Sequence, residues 1–456
     1  MIAPRGLVIE ASRGPDIPGP PPVIGEHAND AAPGRITSPP LASAKAEYER
    51  AHRIHVGLGA ADKISLVGDG NHPPGSEPAL SGFMSLLGGR LAPSGEVVAD
   101  QRTHFDPAAR QREQFEQLVN FTQALIPRSE FARTEFWSKA DSSSVEAWNR
   151  TKEPYRRHLW EEVLGKLPPP SEPLAVETRL AYDRPKWKGY EVVLPLYPDV
   201  FAYGILLLPK DLKPGERRPV VVCTHGRAGT PQILIEPETE RQEIVYKHFA
   251  AQLADRGFIV YAPQQPYIYE ERYRYIQRKA NPLKASMFSF ILSQHERMLD
   301  WLADLPYVDA DRIGFYGLSY GGKTAVRVPP LLDRYALSIC SGDWNEYTGK
   351  MAGIERSDSF MFTYEHEAYE FNLGSTFNYS DLGALMALKP FMVERGHRDG
   401  VGLDEWVAYE YAKLRRFYTF LGIPDRTEIE FFNGVHQINA ERTFEFLHKH
   451  LNWPER

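Results

Sequence analysis

Basic excess, thiols and long apolar runs are all scarce in this chain, and each scarcity removes a class of protein. Its 456 residues carry 53 Lys and Arg against 60 Asp and Glu, a formal net charge of −7. A nucleic-acid binder usually shows a basic stripe, so no nucleic acid is expected as a partner. No apolar run is long enough to span a bilayer, so no membrane partner is expected either. The two cysteines, Cys223 and Cys340, lie in apolar strand-like runs and read as buried thiols, not as a disulfide framework. The opening stretch, "MIAPRGLVIEASRGPDIPGPPPVIG", has no continuous apolar segment before its Pro and Gly cluster. It therefore does not read as a signal peptide, and a cytoplasmic location is the expectation unless an upstream segment supplies an export signal. Nothing in the residues calls for a metal or a cofactor.

The composition that remains is that of a folded protein, 42% hydrophobic and 25% charged. Residues 1–45 are rich in Pro, Gly, Ala and Ser without hydrophobic period, and disorder is expected there. Residues 92–172 form a helical extension: "DPAARQREQFEQLVNFTQALI" and "SSVEAWNRTKEPYRRHLWEEVLGKL" both space apolar residues as a helix does. From residue 173 to 456 the pattern changes. Strand-like runs ("LAVETRLAYD", "YEVVLPLY", "VFAYGILLLP", "RPVVVCTHG", "GFIVYAP", "RIGFYG", "ALSICSG", "PFMVERG", "TEIEFFNG") appear, and from "PVVVCTHG" onward they alternate with helix-like runs. That alternation predicts a mostly parallel central sheet with helices on both faces.

A weak internal repeat accompanies this pattern. "AEYERAHRIHVGLGAADKISLVGDGNH" aligns with "YEYAKLRRFYTFLGIPDRTEIEFFNGVH", pairing Glu47 with Glu410, Tyr48 with Tyr411, Arg53 with Arg416, Asp62 with Asp425 and His72 with His436. Residues 46–91 are therefore expected to be a remnant of the C-terminal end of an upstream module, with no sheet of its own to join.

The segment "RIGFYGLSYGGKTAVRV" carries the chemistry. A G-x-S-x-G pentapeptide alone is expected by chance in roughly one chain in ten of this length. Here it stands between a strand and a helix, the arrangement of a nucleophile elbow, with Ser319 at the tip of a tight turn. A serine hydroxyl needs a base to take its proton. The partners are expected in the order serine, acid, histidine. His436 follows the last strand in "FFNGVHQI" and is the expected base. "PFMVERGHRDGVG" offers Asp399, beyond the strand end, and Glu394, within it. Asp399 is favoured as the acid, Glu394 is the alternative, and Asp343 is a third candidate. Backbone N–H groups of Tyr320 and of Arg227, in the loop after "PVVVCTHG", are the expected oxyanion hole. His225 in that loop reads as a structural histidine.

The motifs "THGRAG", "GLSYGG", "GHRDG" and "GVH", in this order over about residues 173–456, resemble those of the α/β-hydrolase superfamily. Within it the chain looks most like the branch of dienelactone hydrolase-like proteins, acetyl xylan esterases and glucuronoyl esterases. The resemblance implies an α/β-hydrolase fold and a serine hydrolase that cleaves a carboxylic ester, on a small-molecule or carbohydrate (acetyl or glucuronoyl) substrate. In glucuronoyl esterases a lysine on the first turn after the serine contacts sugar hydroxyls, and Lys323 occupies that place. Tyr320 stands where that family has arginine, which sets uronate specificity in question. Two aromatic and charged insertions, 264–288 and 347–380, are placed to shape a substrate site. A serine peptidase of the same fold and a catalytically silent binding protein are the competing readings.

Overall fold

The computed structural model describes residues 2–17, 35–92, 95, 99, 101–103, 105–266, 276–363 and 368–455. The chain divides into two compact units, Met1–Asp106 and Pro107–Arg456.

The larger unit is built on a nine-stranded sheet. Its strands are β3 (Glu177–Asp183), β4 (Trp187–Tyr197), β5 (Val200–Pro209), β6 (Arg218–Thr224), β7 (Ile259–Pro263), β8 (Val308–Leu318), β9 (Tyr335–Ser341), β10 (Phe391–Gly396) and β11 (Thr427–Phe432), in the spatial order β11-β10-β9-β8-β6-β7-β5-β4-β3. Each of the nine strand-like runs forms one of these strands. The sheet is mixed, however, and the expectation of a mostly parallel sheet is corrected. Pairing is parallel from β11 through to β7 and antiparallel among β7, β5, β4 and β3. The cause is connection length. Residues 184–186 and 198–199 are all that join β3 to β4 and β4 to β5. A parallel neighbour would need a crossover of a dozen residues or more.

Both faces of the sheet are covered. Along β6, Val220 and Val222 belong to one buried cluster and Val221 and Cys223 to the other, the alternation that a pleated strand imposes. The helix Met287–Asp304 supplies Phe288, Ile291, Leu292, Met298, Leu299 and Leu302 to the first cluster. The helices Phe249–Asp255 and Arg442–His450 cover the other face. Cys223 and Cys340 are free, buried thiols in opposite clusters.

The helical extension is not separate from this core. Its helices Pro107–Phe136, Val145–Thr151 and Glu153–His158 precede the sheet, and Trp148, Tyr155, Leu159 and Leu164 are buried in the first cluster. Trp137 donates its indole N–H to the Thr376 carbonyl at 2.8 Å, and Arg156 donates to the carbonyls of Pro330 and Leu331, both at 2.9 Å. The expected boundary at residue 172 therefore falls inside one packed unit, which begins at Pro107.

The smaller unit contains β1 (Leu7–Glu10), the helix Leu41–Gly57, a 3₁₀ turn at Ala61–Lys63, β2 (Ile64–Val67) and the helix Glu77–Leu86. The last four repeat the order of helix Asp404–Phe420, 3₁₀ turn Pro424–Arg426, β11 and helix Arg442–His450. Two expectations change here. Leu7–Glu10 is a strand within the stretch expected to be disordered, and residues 18–34 of that stretch lie outside the described residues. In addition, β2 does have a sheet to join, since β1 pairs with it in parallel, Leu7 opposite Ile64. Three consecutive apolar residues facing a second apolar strand outweigh a Pro- and Gly-rich context.

The larger unit's two core clusters begin at Phe136 in sequence. Deleting residues 1–106 is therefore expected to leave the larger unit folded, with its melting temperature within a few degrees. A truncated chain that is insoluble or unfolded would show that the smaller unit is an integral part of the fold.

Candidate active site

β8 ends at Leu318 and the helix Tyr320–Ala325 starts at once, leaving Ser319 as the hinge with φ 62° and ψ −118°. A non-glycine residue held in this region is strained and must be fixed by its surroundings. Two backbone bonds fix it: Ser319 N–H to the Ser341 carbonyl at 2.9 Å, and Lys323 N–H to the Ser319 carbonyl at 2.8 Å. The flanking glycines are required by space. A Cβ on Gly317 would sit 2.1 Å from Thr224 Oγ1, and one on Gly321 would sit 2.6 Å from the same atom.

His436 lies in the loop after β11, and its Nδ1 is 2.8 Å from Asp399 Oδ2. Asp399 is buried; Val401 N–H donates to its Oδ1 at 2.9 Å, and Arg395 lies 3.3 Å from Oδ2. The imidazole keeps 30% of its surface, so its far side is open to a reactant. Ser319, Tyr320, Arg227, Lys323, Asp343 and His436 all line one cavity of about 470 Å³, a size suited to a small organic ligand. Phe360 and Ala368 bring the 347–380 insertion to its wall. Residues 364–367 of that insertion, and 267–275 of the other, lie outside the described residues.

The other two carboxylates, Glu394 and Asp343, are engaged by partners other than His436. Glu394 is buried and accepts hydrogen bonds from Tyr316, Ser341 and two backbone N–H groups. Asp343 accepts from the Tyr379 hydroxyl at 2.6 Å, and burial pushes its carboxyl up to about 6. His225 is buried with Nδ1 2.7 Å from the Gly226 carbonyl, and burial pushes its imidazole down to about 4. Lys323 is buried and pairs with Glu370 at 3.2 Å, a residue also held by Arg327 at 2.7 Å. Sequence reasoning did not find Glu370. Its only signal was a carboxylate inside an aromatic insertion.

No protein-family model matches this sequence, and no curated protein matches it. Solved structures do match. A putative acetyl xylan esterase from Bacteroides fragilis NCTC 9343 aligns with a TM-score of 0.52 at 17% identity, over 67% of this chain and 83% of that one. A glucuronoyl esterase from Caldicellulosiruptor kristjansonii aligns with a TM-score of 0.48 at 16% identity, over 68% and 86%. One from Solibacter usitatus gives 0.47 at 15%, over 68% and 94%. The first of these likenesses, together with the sheet order and the strand–serine–helix turn, defines the larger unit as an α/β-hydrolase fold. Among the described residues no helix is long and apolar enough to cross a membrane, and no group of three His, Cys, Asp or Glu is placed to hold a metal ion.

Proposed function

We propose that this protein is a serine hydrolase that cleaves a carboxylic ester, on a small-molecule or carbohydrate substrate, through an acyl-enzyme. The observation that carries the reading is the 2.8 Å contact between His436 Nδ1 and a buried Asp399, on a histidine that shares a cavity with Ser319. In this reading Asp399 fixes the tautomer with the proton on Nδ1, leaving Nε2 to take the Ser319 proton. The serine oxygen attacks the ester carbonyl, and the N–H groups of Tyr320 and Arg227 receive the oxyanion. The imidazolium then gives its proton to the leaving alcohol, and water repeats the sequence to release the acid.

Acetyl xylan and glucuronoyl esterases among the similar structures favour a carbohydrate ester. Lys323 suits such a substrate in a particular way. Its ammonium has three donors, and Glu370 and the Ala368 carbonyl engage two of them. It thus offers a sugar hydroxyl one hydrogen bond, with its ammonium already anchored by Glu370.

The smaller unit is read as the histidine-bearing C-terminal end of a second such module. His72 has no serine elbow to serve, since "GLSYGG" occurs once.

Turnover of p-nitrophenyl acetate against a peptide p-nitroanilide tests the reading. Ester cleavage with no comparable anilide cleavage is expected. Preference for the anilide would make the protein a peptidase, and inertness toward both would make it a binding protein.

A further inference from the structure

We propose that Glu394 is a positioning residue of this site, a buried carboxylate that ties the strand carrying Ser319 to the loop carrying His436. The proposal rests on the roles given to those two residues above.

Glu394 stands on β10, between the strand of the nucleophile side and the strand of the histidine side. Toward the histidine side, Oε1 accepts the backbone N–H groups of Asn439 at 3.0 Å and Ala440 at 3.1 Å, three and four residues beyond His436. Toward the nucleophile side, the Tyr316 hydroxyl lies 3.0 Å from both carboxylate oxygens, and the Ser341 hydroxyl donates to Oε2 at 2.5 Å. Tyr316 is three residues before Ser319 on β8. The Ser341 carbonyl accepts the Ser319 N–H. One carboxylate therefore collects donors from β8, β9 and the histidine loop.

In its ionised form a carboxylate can accept from all of these donors at once. An amide of the same shape would set its own N–H against them. Burial, with the nearby Glu430 carboxylate adding to it, pushes the Glu394 carboxyl up to about 7. The group thus costs stability when charged, and among the described residues no cation is paired with it. Its converging hydrogen bonds offset that cost and set geometry.

The same device recurs in the smaller unit. Phe391 faces Thr427 as Leu7 faces Ile64, which puts Glu10 on β1 in the register position of Glu394 on β10. Glu10 accepts the N–H groups of Gly75 and Ser76, each at 2.8 Å, three and four residues beyond His72. Two segments with little sequence in common thus clamp the loop after a histidine by the same carboxylate at the same offsets. The repeat therefore extends back to β1, well before the residue where sequence alignment detects it.

The test is Glu394→Gln in the full chain, with kcat and KM for p-nitrophenyl acetate and amide hydrogen exchange at Asn439 and Ala440. A loss in kcat of about a hundredfold is expected from a displaced base, with KM unchanged and both amides exchanging faster. Tyr316→Phe and Ser341→Ala each remove one donor without emptying the core, and smaller kcat losses at constant KM are expected. They decide the matter if Glu394→Gln does not fold. Wild-type kcat in a folded Glu394→Gln chain, or in both donor variants, would overturn the proposal. If the wild-type chain turns over no ester, the serine-hydrolase reading is the one that fails, and unchanged exchange at the two amides still separately refutes the clamp. In the smaller unit, Glu10→Gln is expected to speed exchange at Gly75 and Ser76. No change there would remove the recurrence.

Discussion

Ser319→Ala is expected to reduce ester turnover to background, a loss on the order of 10⁵-fold or more in kcat, without a change in melting temperature. The two halves of this expectation have separate physical grounds. Among the described residues the Ser319 hydroxyl makes no hydrogen bond to the fold, so removing it orphans nothing. The strained turn at φ 62° is held by backbone bonds from Ser319 and Lys323 and by the space that Gly317 and Gly321 leave, all of which alanine keeps. Activity has no such reserve. Without Oγ no acyl-enzyme can form, and the oxyanion donors alone can only assist a slow attack by water. The measurement is turnover beside covalent labelling by a fluorophosphonate. Residual activity within tenfold of wild type, or labelling that persists in the alanine variant, would remove Ser319 from the role of nucleophile.

The serine was readable because its signal is local. A buried strand, a Gly-flanked serine and a helix occupy consecutive residues, and close packing against Thr224 demands those glycines. The strands of the large sheet were readable for the same reason. What sequence reading lost depends on partners far along the chain. Its sheet appeared mostly parallel because the β–α alternation after residue 218 dominates the pattern, while the two tight links that reverse β4 and β5 are only short gaps between runs. Leu7–Glu10 was hidden because three apolar residues and a glutamate in a Pro-rich stretch carry no periodicity. Their partner, β2, lies more than fifty residues on. The ion pair of Lys323 was not legible because its partner, Glu370, sits in an insertion with no pattern of its own.

Glu394 and Asp399 illustrate the limit most directly. They lie five residues apart, one within the strand and one beyond its end. The strand position of Glu394 buries it under Tyr316 and Ser341, while the turn after β10 brings Asp399 to His436. Sequence position favoured Asp399, beyond the strand end, over Glu394, within it, but the task of Glu394 depends on partners that only the fold brings together.

Asp399→Asn is expected to lower kcat by about 10⁴-fold, the larger effect of the two carboxylates, with little change in KM. An asparagine of the same shape can still accept the Val401 N–H that now bonds Oδ1 at 2.9 Å, so the turn keeps its form. Arg395, buried beside it, keeps Asp404 at 3.0 Å and the carbonyls of Asp399 and Gly402, so no cation is abandoned in the interior. The fold should therefore survive. The loss falls on the imidazole. With an amide N–H facing Nδ1, the favoured tautomer carries its proton on Nε2, and the nitrogen that should take the serine proton becomes a donor. The carboxylate's stabilisation of the imidazolium disappears as well. Glu394→Gln, by contrast, leaves the tautomer alone and shifts only the loop, which is why its expected loss is about a hundredfold. Measuring kcat for both variants at saturating ester, with melting temperature alongside, ranks them. A folded Asp399→Asn chain that outperforms Glu394→Gln would move the acid to Glu394 and reverse the assignment of the two carboxylates.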